Sequence, residues 1–98
     1  MKVRPVPAEE LKTMMQGEQF WWVCPPLKKQ GIPARVEGPM TFIRFSKKDM
    51  GGWTEEIVEY RHPDGNVYYH FVLSLTSGNW PVFKTAEEAQ AYLADRWP

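Results

Sequence analysis

Pro63-Asp64-Gly65-Asn66 constrains the fold of this chain most, because it joins two runs of strand-forming residues, Trp53 to His62 and Val67 to Leu75. Proline presets the second position of a type I turn, and the glycine two residues on is free to take positive φ, so the segment specifies a hairpin closed by a glycine bulge. A His62/Asn66 closing pair fixes the register. Ile57 then faces Phe71, Trp53 faces Leu75 and Glu55 lies beside Leu73. On the other side of the ribbon Tyr60 faces Tyr68, Val58 faces His70 and Glu56 faces Val72. A two-residue Asp64-Gly65 turn would shift every pair by one, but it would leave Pro63 where the ladder needs a donor. The first face, with Trp53, Ile57, Phe71, Leu73 and Leu75, is the expected core. The second is amphipathic.

The flanking sequence supplies the rest of an α+β domain. Pro5 and Pro7, the acids Glu9 and Glu10, and Gly17 bracket a short N-terminal helix with Leu11, Met14 and Met15 on one stripe. Phe20 to Cys24 alternates as a strand with Phe20, Trp22 and Cys24 on one face and Trp21 and Val23 on the other, so it is either covered on both sides or leaves a tryptophan exposed. Pro25-Pro26 ends it. Pro33 to Glu37 and Met40 to Ser46 read as two short strands broken at Gly38-Pro39, followed by a flexible loop from Ser46 to Gly52. Beyond a turn at Ser77-Gly78-Asn79, Trp80 to Lys84 reads as an edge strand marked by Pro81. Thr85 and Glu88 form a capping box for a closing helix that runs to about Arg96, with Ala86, Ala89, Leu93 and Trp97 along its apolar stripe and Tyr92 at the border. The expected architecture is one domain over residues 1–98, an antiparallel sheet of five or six strands with an N-terminal and a C-terminal helix, the latter packed on Ile57 and Phe71.

Composition narrows the function classes. Twelve basic and twelve acidic side chains cancel, and hydrophobic residues are 43% of the chain, which is too apolar and too neutral for a disordered segment. No stretch is apolar enough for a spanning helix, so no membrane partner is expected, and Met1 to Pro7 lacks the apolar core of a signal peptide; a cytoplasmic location is expected. One cysteine, Cys24, excludes an internal disulfide and any site with two thiolates. His62 and His70 share a face of the hairpin but lie at its opposite ends, and the adjacent acid pairs splay apart in regular structure. No metal, cofactor or catalytic constellation is expected, and the chain is read as non-enzymatic.

Five Trp, five Phe and four Tyr are more aromatic side chains than one small core readily takes. The sequence therefore reads as a protein-binding module, such as an adaptor, regulatory subunit or inhibitor protein. Its recognition platform is placed on Val58, Tyr60, Tyr68 and His70, extended by Trp21 or Trp22. The competing reading of that face is that the Met14/Met15 helix lies over it. Charge is unevenly spread: residues 1–50 carry nine basic and five acidic groups, residues 51–98 three and seven. Such a dipolar chain can orient a protein partner or a second copy of itself. The basic excess gathers in Lys28, Lys29, Arg35, Arg44, Lys47 and Lys48, which with sheet aromatics gives the alternative reading, binding of single-stranded nucleic acid.

Overall fold

The computed structural model describes residues 3–76 and 79–97, so the turn read at Ser77-Gly78 lies outside the described residues. The fold is α+β: a five-stranded antiparallel sheet with three helices. Strands β1 (Gln19–Cys24), β2 (Arg35–Asp49), β3 (Thr54–Arg61), β4 (Val67–Phe71) and β5 (Val82–Phe83) lie in the order β4-β3-β2-β1-β5. The helices are α1 (Ala8–Lys12), α2 (Val72–Thr76) and α3 (Ala86–Arg96).

The β3–β4 hairpin has the register its turn dictates. Ile57 pairs with Phe71, Val58 with His70 and Tyr60 with Tyr68. The Gly65 amide donates to the His62 carbonyl at 2.9 Å, and Gly65 has φ +93°, as a glycine bulge requires. The pairing stops at Phe71, so the expected pairs of Trp53 with Leu75, Glu55 with Leu73 and Glu56 with Val72 do not form. Residues 72–76 are helical instead. Helical spacing puts Val72 and Leu75 together on the core, with Leu73 turned out, and the Thr76 hydroxyl back-bonds to the Val72 carbonyl at 2.9 Å.

β2 is one long strand where two short ones and a loop were expected. Phe20 pairs with Met40 and Trp22 with Glu37, so Gly38 and Pro39 are absorbed as a bulge opposite Trp21. Lys47, Lys48 and Asp49 then pair with Glu56, Glu55 and Thr54, and the turn shrinks to Met50–Trp53. The N-terminal helix is shorter than its Met-rich stripe suggests. It ends at Lys12 because the chain is drawn onto the sheet: the Gly17 amide donates to the Phe42 carbonyl, and the Phe42 amide to that of Glu18. Met14 is buried and Met15 is exposed.

The sheet buries its two faces unequally. One face carries Phe20, Trp22, Cys24, Met40, Phe42, Val58 and Tyr60, and these pack with Val6, Leu11, Met14, Val72 and Leu75 of the segments that cover it. On the other face α3 packs through Ala89, Tyr92, Leu93 and Trp97 onto Trp21, Val23, Val36 and Phe83. β1 is thus covered on both sides. The helix stripe is the expected one, but its seat is not: α3 lies over β1, β5 and β2 rather than on Ile57 and Phe71. Those two residues share its side of the sheet but lie at the opposite end, beyond its reach. The expected choice of core face is also reversed. Val58 and Tyr60 are in the main core, whereas Trp53 and Leu73 are exposed.

Candidate functional site

The platform placed on Val58, Tyr60, Tyr68 and His70 is largely interior. Val58, Tyr60 and Trp22 are buried and His70 is half-buried; among these only Tyr68 is exposed. Trp21 is on the opposite face beneath α3. The physical reason is coverage: Val6, Leu11 and Met14 around α1, and Val72 and Leu75 of α2, all pack on this side, so the face becomes core. The Tyr68 hydroxyl donates to Asp64 Oδ2 at 2.9 Å, where the Asn66 backbone amide also holds the Asp64 carboxyl below the usual carboxylate range.

At the β1–β2 end of this core lies a compact polar cluster. The Trp22 indole donates to Glu37 Oε1 at 2.9 Å, the Cys24 thiol donates to the same oxygen at 3.2 Å, and Arg35 Nε donates to Glu37 Oε2 at 3.2 Å. Burial raises the Glu37 pKa, but these hydrogen bonds and the guanidinium outweigh it and hold the carboxyl ionised below its ordinary range. Burial, reinforced by the Glu37 charge, pushes the Cys24 thiol up to about 12, so it stays protonated and is no nucleophile at neutral pH. Trp80 and His70 complete the rim. Their rings lie 4.8 Å apart and 5.5 and 5.3 Å from Trp22, too close for a guest between them. Burial keeps His70 below the ordinary imidazole pKa and hence neutral. The cluster ties β1 to β2. Among the described residues no three His, Cys, Asp or Glu side chains gather as metal ligands would.

The six basic residues do not form one patch. Lys28 and Lys29 occupy a turn of 3-10 helix before β2, and Lys47 and Lys48 stand at its far end, about 40 Å away at ~3.3 Å per residue. Arg35 pairs with Glu37 and Arg44 with Glu59, while Lys48 Nζ lies 4.8 Å over the Tyr69 ring.

The surface that stands out was missed in the sequence. Trp53 is 59% exposed, Leu73 70%, Val67 51% and Tyr69 43%, and together with Phe71 and Met50 they run along β4 and the β2–β3 turn. Met50, Trp53, Glu55, Phe71, Leu73 and Ser74 line a shallow pocket of about 170 Å³ there. The Trp53 indole is held by a 3.1 Å hydrogen bond to Glu55 Oε1, and Tyr69 meets Phe71 edge-on at 5.8 Å. β4 is an edge strand with the sequence Val-Tyr-Tyr-His-Phe, without a charge or a proline. That composition was the available signal, since exposed edges are ordinarily blunted by lysine, proline or bulges.

No helix among the described residues is long and apolar enough to cross a membrane. No protein-family model matches the chain, and no curated protein or solved structure is significantly similar to it.

Proposed function

We propose that this chain is a small, non-enzymatic protein-binding module whose contact surface is the apolar strip of Trp53, Leu73, Phe71, Tyr69 and Val67. The observation that carries the reading is the exposure of Trp53 and Leu73, each more than half open to solvent, around a pocket beside an uncharged edge strand. Tryptophan and tyrosine give large contact areas at low conformational cost, and such anchors dominate the binding energy of protein interfaces. Trp53 is already oriented by Glu55, which lowers the entropy lost on contact. Single-stranded nucleic acid is the weaker reading, because the basic residues are divided between two ends of β2 and two of the six, Arg35 and Arg44, are already engaged by acids.

Affinity capture from a native lysate, with and without nuclease, tests the proposal when wild type is compared with Trp53→Ser/Leu73→Ser. Both positions are exposed, so the variant should stay folded, with a stability change within about 1 kcal/mol. Protein partners that survive nuclease and vanish with the variant support the reading. Unchanged capture by a well-folded variant removes the surface, and material lost only on nuclease treatment favours nucleic acid.

A further inference from the structure

We infer that the free edge of β4 pairs antiparallel with β4 of a second copy of this chain, about a two-fold axis at Tyr69, to make a continuous ten-stranded sheet. The inference rests on the reading of this surface as protein-binding and names its occupant. The His62 amide donates to the Asn66 carbonyl at 2.9 Å, which makes 62/66 a hydrogen-bonded pair. Alternation then makes 60/68 and 58/70 hydrogen-bonded pairs too, and leaves the amides and carbonyls of Val67, Tyr69 and Phe71 pointing away from β3. No strand among the described residues takes them up.

These three residues are symmetric about Tyr69, which makes the edge self-complementary. Two antiparallel copies set Tyr69 against Tyr69 and Val67 against Phe71 twice, each an outward-facing pair able to exchange two backbone hydrogen bonds. The side chains agree with that register. One face gains an aromatic pair at the axis flanked by two valine–phenylalanine pairs, and the other sets Tyr68 against His70; the paired strands themselves carry no like charges, and the nearest cation is Lys48, 4.8 Å over each Tyr69 ring. A heterologous strand would satisfy the same backbone, but nothing on the edge selects its side chains, whereas this strand matches itself.

A five-residue edge belongs with interfaces below roughly 1,200 Å² in total, so the dimer is a weak, concentration-dependent one.

Sedimentation equilibrium of the purified chain from micromolar to millimolar concentration is the test. The wild type should move from monomer to dimer across that range. Tyr69→Lys, which puts two like charges on the axis, should weaken association by roughly tenfold or more, about 1.4 kcal/mol, while circular dichroism shows it folded. Because Cys24 is buried, a Tyr69→Cys chain carries one accessible thiol. It should oxidise to a disulfide dimer, whereas Val67→Cys, four residues out of register with its own copy, should not. A wild type monomeric throughout, or a dimer indifferent to Tyr69→Lys, overturns the inference. A monomer that still captures a partner through Trp53 and Leu73 would leave the protein-binding reading standing.

Discussion

Gly38 should be the least replaceable residue of the sheet, and the reason is measurable in parts. Its φ is +149°, outside the range that side chains readily adopt, and a Cβ built there would lie 2.4 Å from Cδ1 and 2.7 Å from Cγ of Trp21. The indole therefore rests directly on the glycine across the β1–β2 bulge. Gly38→Ala combines two costs. Holding alanine at that φ costs on the order of 1–3 kcal/mol. Displacing the ring by about 1 Å, toward ordinary carbon–carbon contact, overpacks the cluster under α3 and costs a further ~1–3 kcal/mol. A loss of about 4 kcal/mol is expected, a large share of the ~5–15 kcal/mol that holds a domain together. Urea unfolding followed by far-ultraviolet circular dichroism separates the terms when Gly38→Ala is measured in both wild-type and Trp21→Ala backgrounds. With the indole gone only the backbone cost should persist, leaving a coupling of about 1–3 kcal/mol. A single variant within about 0.5 kcal/mol of wild type, or equal costs in the two backgrounds, would refute the argument.

Cys24 should make the protein sensitive to alkali. Its pKa is raised from 9.0 to about 12 by folding, so the unfolded chain loses its proton first, and the stability present below pH 9 is lost as the pH climbs toward 12. The loss should reach ~1.4 kcal/mol between about pH 8 and pH 10; chemical denaturation should show Cys24→Ala lacking it, and an equal slope in the variant would exclude the thiol. The variant should keep the further loss above about pH 10 that comes from Tyr60, which burial also raises to about 12. Gly65, by contrast with Gly38, has open space where a Cβ would stand. Gly65→Val should therefore cost only the positive-φ strain, about 1–3 kcal/mol, and thermal unfolding should place it well below Asn66→Ala in stability; the reverse order would contradict the bulged turn.

The sequence was most readable where a local rule had no rival. Pro63 and Gly65 specify one turn, the turn specifies one closing pair, and the pairs from Ile57/Phe71 to Tyr60/Tyr68 follow without tertiary information. Thr85 is a cap in fact as well as pattern, its hydroxyl accepting from the Glu88 amide. The apolar residues on both sides of β1 are explained by cover on both sides. What could not be read was which face of the β3–β4 hairpin turns inward. Ile57 with Phe71 and Val58 with Tyr60 are comparable as apolar pairs, and the decision belongs to distant segments, the seats of α1 and α2. The end of β4 was hidden for a related reason. Val72 to Leu75 alternates acceptably as a strand, and only the core's demand for Val72 and Leu75 on one side makes it a helix. The burial of Val58, Tyr60 and Trp22, expected as parts of a recognition platform, followed from that choice of face.

That same count of covering elements accounts for the surface left open. A helix is about 10–12 Å across and strands are ~4.8 Å apart, so one helix shields about two to three strands. α3 covers the β5–β1–β2 end of its face and can do no more, which leaves the β2–β3–β4 end uncovered. Two of those strands obey the rule for an exposed face: β2 turns Thr41, Arg44, Ser46 and Lys48 toward it, and β3 turns Glu55, Glu59 and Arg61 around a single buried Ile57. β4 breaks the rule with Val67, Tyr69 and Phe71, and Trp53 and Leu73 continue the exception past its end. Ordinary solvation explains the first two strands and not the third. A want of apolar residues elsewhere cannot be the cause, since the main core is already filled by Phe20, Trp22, Met40 and Phe42. The departure is confined to the one long free edge of the sheet, where backbone donors and acceptors are unpaired, and it is this coincidence that supports a strand from another chain as the missing neighbour.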